Sequence, residues 1–141
     1  MDHLVFSLQI EDDWPPVAAE CLPCSPDGAG FRVETAPLFV KELSAGDVVQ
    51  VIREEGGQVH EWMHLFKSAR STVWLMPFGG LSLEQTLFKL RGKGCNTTSF
   101  SGGGLVAIDV PPSVTASELD ALFVSYSDEQ LAVAYPSWRH D

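Results

Sequence analysis

Basic residues are scarce in this chain. Nine lysines and arginines stand against 19 aspartates and glutamates, which gives a formal net charge of −10 at pH 7. Such an acidic surface repels nucleic acid phosphates and anionic membranes, so we expect neither as a partner. The same charge favours a basic protein partner, but it also serves solubility alone, and the sequence leaves both interpretations open.

Cysteine is also rare. The three cysteines are an odd number and give no disulfide framework, which is typical of a reducing compartment. Cys21 and Cys24 form a C-x-x-C pattern, but Pro23 and the turn that follows leave no place for the helix that a redox motif opens. We therefore expect cysteines without a chemical role and a protein without a cofactor.

Long apolar runs are absent. No run reaches the length of a membrane span, and residues 1–4 have neither the basic nor the apolar stretch of a secretion signal. The 141 residues, 45% of them hydrophobic, suffice for one domain or two small packed subdomains without a metal or disulfide. We expect a cytoplasmic protein.

The first half of the chain has the pattern of short strands. Apolar and β-branched segments alternate with proline-rich or glycine-rich turns, which is typical of strands. The predicted strands are residues 3–10, 17–24, 31–35, 48–52 and 59–67, with turns at 25–28 and 54–57. Five short strands without a helix predict a small antiparallel sheet or partial barrel over residues 1–69.

The second half of the chain has a different pattern, which includes helices. Ser82 with Gln85, and Thr115 with Glu118, form capping-box patterns that predict two helix starts. The predicted elements are strand 71–78, helix 82–91, strands 96–101 and 105–110, a helix after Thr115 that buries positions 119, 122, 123 and 126, and strand 131–135. Pro77 predicts that its strand ends there or lies at a sheet edge, and residues 102–104 predict a hairpin turn.

This order of elements is strand, helix, strand, strand, helix, strand. It is typical of a ferredoxin-like βαββαβ unit, here over residues 70–141. The sequence thus predicts an α+β fold in which the N-terminal sheet or partial barrel packs on the ferredoxin-like unit as one compact protein.

The segment His60-Glu61-Trp62-Met63-His64 matches the zinc-protease pattern H-E-x-x-H. That chemistry needs a helix, on which both histidines bind zinc and the glutamate is the general base. The segment lies in a predicted strand, where residues i and i+4 stand roughly 13 Å apart, too far to share one zinc ion. This spacing argues against zinc catalysis, and a metal-dependent hydrolase using His60, Glu61 and His64 is kept only as an alternative.

Two tryptophans call for opposite interpretations. Trp74 lies in an apolar strand and is expected in the core. Trp14 follows Asp12 and Asp13 in a proline loop, and an aromatic residue ringed by charge is typical of a binding hot spot. The other interpretation of Trp14, that it caps the end of the barrel, stays open.

Several short phrases resemble a bacterial family described only as a domain of unknown function. They are Asp13-Trp14-Pro15-Pro16, Pro37-Leu38-Phe39-Val40, Gly46-Asp47-Val48-Val49, Ser71-Thr72-Val73 and the LVAIDVPP stretch at 105–112. The resemblance runs from about His3 to Tyr135. It implies a bacterial, non-secreted protein, and the family offers no catalytic residues to carry over. Genes of this kind also occur beside polymorphic toxin genes, which implies an immunity role.

We therefore expect an immunity (antitoxin) protein, not an enzyme, that binds and occludes the active site of a cognate toxin domain. A toxin with a basic cleft would associate faster with an acidic inhibitor. The expected contacts are Asp12, Asp13, Trp14, Glu54 and Glu55. Besides the hydrolase, a small-molecule-binding regulatory module remains an alternative, by analogy with other ferredoxin-like units.

Overall fold

A computed structural model describes residues 2–55, 57–101 and 104–140 of the protein. Its first half is a closed barrel. The strands are β1 (Asp2–Ser7), β2 (Ala19–Asp27), β3 (Gly30–Val33), β4 (Val48–Arg53) and β5 (Val59–Phe66). Neighbours in the chain pair antiparallel, and β1 closes the ring by pairing parallel with β5 through Phe6 and Val59.

The closure goes beyond the predicted small antiparallel sheet or partial barrel. Leu4 and Phe6 of β1 and Val59 of β5 are almost fully buried in the same apolar cluster. Alternate residues of each strand point inward, so a ring of short strands removes these side chains from water together. The apolar interior therefore favours closure over an open edge.

The turn predicted at residues 25–28 lies slightly later in the chain. β2 runs through Pro26, which pairs with Phe31, and ends at Asp27. Gly28 has φ 58° and so supplies the left-handed turn residue. The residue that permits positive φ, rather than the proline, sets the position of this turn.

The second half is a four-stranded sheet with two helices. Its elements are β6 (Ser71–Pro77), α1 (Glu84–Gly92), β7 (Asn96–Ser99), β8 (Val106–Val110), α2 (Ala116–Phe123) and β9 (Leu131–Ser137). The sheet order is β7-β8-β6-β9, and each neighbouring pair is antiparallel. β6 ends at Pro77 and lies inside the sheet, between β8 and β9. The barrel, the antiparallel sheet and the two helices agree with the predicted α+β class.

The structure confirms only one of the two predicted capping boxes. Thr115 and Glu118 form the predicted capping box of α2. The box predicted for α1 is wrong, because Leu83 is its N-cap residue and Ser82 accepts only a 3.4 Å hydrogen bond from the Glu84 N–H. α2 ends at Phe123, so Tyr126 packs against the core from beyond the helix.

Both faces of the sheet are covered. One face and the two helices enclose an apolar cluster that includes Leu75, Leu90 and Ile108. On the other face Trp74, 8% exposed, packs with Phe39 of the segment that follows the third barrel strand. The indole N–H of Trp74 donates to the Pro37 carbonyl at 2.7 Å. Trp74 is thus a core residue, as predicted.

Some predicted features fall outside the described residues, namely Gly56 of the 54–57 turn and Gly102 and Gly103 of the 102–104 turn. Within the ranges that are described, neither helix has the length and apolar character needed to cross a membrane.

Candidate functional site

The loop between β1 and β2 contains the predicted contacts Asp12, Asp13 and Trp14. The Trp14 N–H donates to the Glu11 carbonyl at 3.0 Å, and the Glu11 N–H donates to the Trp14 carbonyl at 2.9 Å. Between them Asp12 and Asp13 have φ 53° and 64°. This is a two-residue hairpin turn of a kind that aspartate tolerates well. The backbone therefore holds both aspartates at an exposed loop tip.

A groove of about 520 Å³ lies between this loop and the end of β1. Trp14 and Trp62 both line it, together with the buried rings of Phe6 and Phe39. We call it the Trp14 groove. Trp14 is 43% exposed and meets the Phe39 ring edge-on at 5.8 Å, so its indole partly covers apolar side chains and partly faces solvent. The charged residues of the groove are Glu11, Asp12 and Lys41.

The Phe39 wall of the groove is held in place by a buried carboxylate. Glu20 of β2 is 8% exposed and accepts hydrogen bonds from the backbone N–H groups of Leu38, Phe39 and Val40, at 2.5, 2.8 and 3.1 Å. Burial raises the pKa of Glu20, and these three bonds limit the rise. The carboxylate satisfies three donors that would otherwise be buried without partners.

The other predicted contacts, Glu54 and Glu55, lie outside this groove. They are exposed in the β4–β5 hairpin, where the Glu54 N–H donates to the Gln58 carbonyl at 2.7 Å. The Glu54 carboxylate is 3.8 Å from Nδ1 of His60. The structure thus places Asp12 and Trp14 in one groove, Asp13 at its loop tip, and the two glutamates on a separate hairpin.

The outer surface of the same hairpin exposes large apolar side chains. Ile52, Met63 and Leu65 are 53%, 60% and 48% exposed. Gln50 pairs with Met63 and Ile52 with Glu61, and these four residues border a depression of about 240 Å³. Residues 50, 52, 61, 63 and 65 are called the β4–β5 face below.

Sequence reasoning missed the β4–β5 face, although a signal for it was present. Large apolar residues occupy both faces of the strand at 59–66, and a barrel has only one interior. The bulged pairing between residues 52 and 53 of β4 and their β5 partners separates buried Val59 from Glu61 and Met63. An unbroken alternation would place Val59 on the same face as Glu61 and Met63, and the bulge breaks that alternation.

The H-E-x-x-H segment lies on β5, as the strand pattern predicts. His60 is near Glu54, whereas Nε2 of His64 is 2.9 Å from Oδ2 of Asp47. The two imidazoles therefore have different carboxylate partners. Within residues 2–55, 57–101 and 104–140, no three His, Cys, Asp or Glu side chains are grouped as metal ligands.

Asp47 is the centre of a buried polar network. Its side chain is fully buried and accepts two hydrogen bonds from the Arg139 guanidinium, at 2.7 and 2.9 Å. It also accepts the N–H groups of Ser44 and Ser68, each at 2.9 Å. Burial raises the pKa of Asp47, but the Arg139 and backbone bonds outweigh it, so this pKa lies below its ordinary 3.8. The network ties the barrel to the end of the chain.

A serine–histidine pair stands beside this network. Ser71 Oγ is 2.6 Å from Nδ1 of His140, and Nε2 of His140 is 2.9 Å from the Pro111 carbonyl. Because the carbonyl can only accept, Nε2 carries a proton, and in the neutral ring Nδ1 then accepts from the serine. Ser71 is fully buried and also accepts the Arg139 N–H at 2.7 Å. A hydroxyl so enclosed has no path to a substrate, so the pair is structural.

The C-x-x-C pattern lies within β2 and opens no helix. Cys21 is exposed and Cys24 is buried. Burial raises the pKa of the Cys24 thiol to about 11, so this thiol stays protonated at neutral pH.

Comparisons with known proteins bear on the family and on the fold. A family model described as Domain of unknown function (DUF4265) matches residues 20–134. No curated protein matches the chain. A solved structure described as "Novel crystal structure of a hypothetical protein from Neisseria gonorrhoeae" is similar, with a TM-score of 0.75 and 15% identity over 97% of this chain and 96% of that one. At this identity the likeness concerns the fold alone.

Proposed function

We propose a function from the premise that this chain belongs to the family Domain of unknown function (DUF4265). In this proposal it is an immunity (antitoxin) protein that binds a cognate antibacterial toxin domain and occludes its active site. It acts by contact and runs no reaction itself.

The exposed β4–β5 face is the observation that carries the proposal. Ile52, Met63 and Leu65 are each about half exposed or more on the outside of one strand pair. Several large apolar side chains exposed on one surface of a small protein are costly to leave in water, and such groups commonly mark protein interfaces. A partner that covers these side chains would gain the free energy of their burial.

The surrounding charge suggests the nature of that partner. Glu61 belongs to the face, Glu54 and Glu55 are exposed at the tip of the same hairpin, and the chain carries a net charge of −10. Complementary charge raises association rates and excludes wrong partners. An apolar centre with acidic neighbours fits a basic cleft, such as a toxin domain acting on nucleic acid or nucleotides would present.

We also propose the finer architecture. The order β7-β8-β6-β9, with a helix after β6 and another after β8, supports a ferredoxin-like arrangement for residues 70–141 beside a barrel subdomain at 1–69. A cytoplasmic location would suit a protein that meets an incoming toxin. The metal-dependent hydrolase and the regulatory module remain sequence hypotheses that no contact among the described residues favours over binding.

Co-expression tests the proposal. The protein encoded next to this chain in its native genome, expressed alone, is expected to arrest bacterial growth, and co-expression of this chain is expected to restore it. The readout is colony formation, with a catalytically inactive form of the neighbour as control. A neighbour that does not arrest growth, or an arrest that this chain does not relieve, would contradict the immunity role.

A further inference from the structure

We propose that the Trp14 groove holds the guanidinium group of an arginine side chain from the partner protein. This inference rests on the proposed function, because the arginine belongs to the basic partner. It adds a second, chemically distinct contact to the β4–β5 face.

The shape of the groove suits a long side chain with a flat end. Its lining includes the rings of Phe6 and Phe39, which are 1% and 7% exposed, together with Trp14 and Trp62. The arginine stem would pack against these aromatic side chains, and its planar guanidinium would stack on an indole, the aromatic ring that attracts cations most strongly. Arginine suits such a site better than lysine, whose ammonium is compact and strongly hydrated.

The charges of the groove favour a cation. Glu11 and Asp12 supply two carboxylates against one ammonium, that of Lys41. Among the described residues, neither carboxylate has a cationic side chain within 4.0 Å. Both therefore remain open to the five N–H donors of a guanidinium. Lys41 would repel the same cation, so its charge weakens the binding.

Hydrogen bonds hold the backbone of two parts of the groove, which lowers the cost of binding. The hairpin turn between Glu11 and Trp14 holds the backbone at Asp12, and the Glu20 carboxylate holds the backbone N–H of Phe39. A backbone already held in place loses little conformational freedom when a ligand arrives.

Titration of the purified chain with capped arginine, N-acetyl-arginine amide, tests the inference. Capped citrulline, which has nearly the same shape but no charge, is the control ligand. The readout is the NMR shift of the indole N–H signals of Trp14 and Trp62. We expect saturable shifts with arginine at millimolar concentrations and binding of citrulline that is weaker by at least about threefold.

Charge variants test whether the charged residues of the groove set the affinity for arginine. Asp12→Asn is expected to weaken arginine binding roughly two- to fivefold, because it removes one exposed ion pair, and Lys41→Gln to tighten it. Asp13→Asn is the matched control, because it removes the same charge from the same turn but from a residue that does not line the groove. Asparagine tolerates the left-handed conformation of both positions. Equal binding of arginine and citrulline, or equal effects at Asp12 and Asp13, would overturn the inference.

Different results would contradict the groove inference and the immunity role. If the neighbour protein binds the chain but capped arginine does not shift the indole signals, the groove inference is wrong and the immunity role stands. If capped arginine binds as expected while co-expression gives no protection, the immunity role is wrong and the groove remains a guanidinium site.

Discussion

Replacing Arg139 by alanine is expected to lower the free energy of unfolding by about 3–5 kcal/mol. The guanidinium makes two bonds to the fully buried Asp47 carboxylate and a third, at 2.9 Å, to the Ser68 carbonyl. Without Arg139, a buried negative charge would keep only its neutral N–H donors and the His64 ring. Losing one partner of a buried ion pair costs far more than the pair contributes over apolar residues.

Urea unfolding at neutral pH measures this loss. Arg32→Ala is the matched control, because the ion pairs of Arg32 with Asp27 and Glu34 are exposed, the Arg32 side chain itself being 46% accessible. Such surface pairs contribute about 0–1 kcal/mol. Equal unfolding midpoints for Arg139→Ala and Arg32→Ala would show that the buried network does not hold the barrel to the chain end.

The pH dependence of the unfolding free energy of Arg139→Ala tests whether Asp47 is the group responsible for the loss. The folded pKa of Asp47 lies below 3.8, so its contribution to stability is present above that pH and is lost as the pH falls through the lowered value. The difference between wild type and Arg139→Ala is therefore expected to shrink below about pH 3.8. If the stability difference between wild type and Arg139→Ala grew as the pH fell, a group other than Asp47 would be responsible for it.

The double substitution of Ile52 and Met63 by alanine is expected to weaken partner binding by at least roughly thirtyfold. The reason is that a large apolar residue at an interface centre typically contributes about 2 kcal/mol or more when it is a hot spot, and one hot spot among the two is enough for this loss. Both substitutions leave the charge unchanged, so the loss should appear mainly as faster dissociation. Surface plasmon resonance with the inactive neighbour protein measures both rates.

Phe88→Ala is the control for this experiment. Phe88 is 77% exposed on α1, and its truncation removes more apolar surface than either substitution on the β4–β5 face. We expect unchanged affinity for Phe88→Ala. A loss of affinity in the control, or none in the double variant, would move the interface away from the β4–β5 face.

Local patterns in the sequence predicted local structure well. The strands of both halves and the capping box at Thr115 lie close to their predicted positions, because alternation and capping act over a few residues. Barrel closure was not predictable in this way, since it pairs Phe6 with Val59. The Asp47–Arg139 network spans 92 residues of the chain, and no short pattern indicates which buried aspartate meets which distant arginine.

The candidate site was likewise predicted only in its local parts. The acidic loop was predicted from Asp12, Asp13 and Trp14, but its groove depends on Phe39 and Trp62, which only the closed barrel brings near it. The β4–β5 face was missed because the strand pattern predicts alternation without saying which face is covered. That choice depends on the bulge in β5, and a one-residue shift in pairing exchanges the two faces of a strand.

The salt dependence of association with the neighbour protein tests the central claim most directly. That claim is that an acidic chain binds a basic protein through an apolar face with carboxylates beside it. We expect the association rate to fall by at least roughly tenfold between low and high ionic strength, because salt screens electrostatic attraction. An association rate that does not respond to salt, or the absence of any binding, would contradict the account.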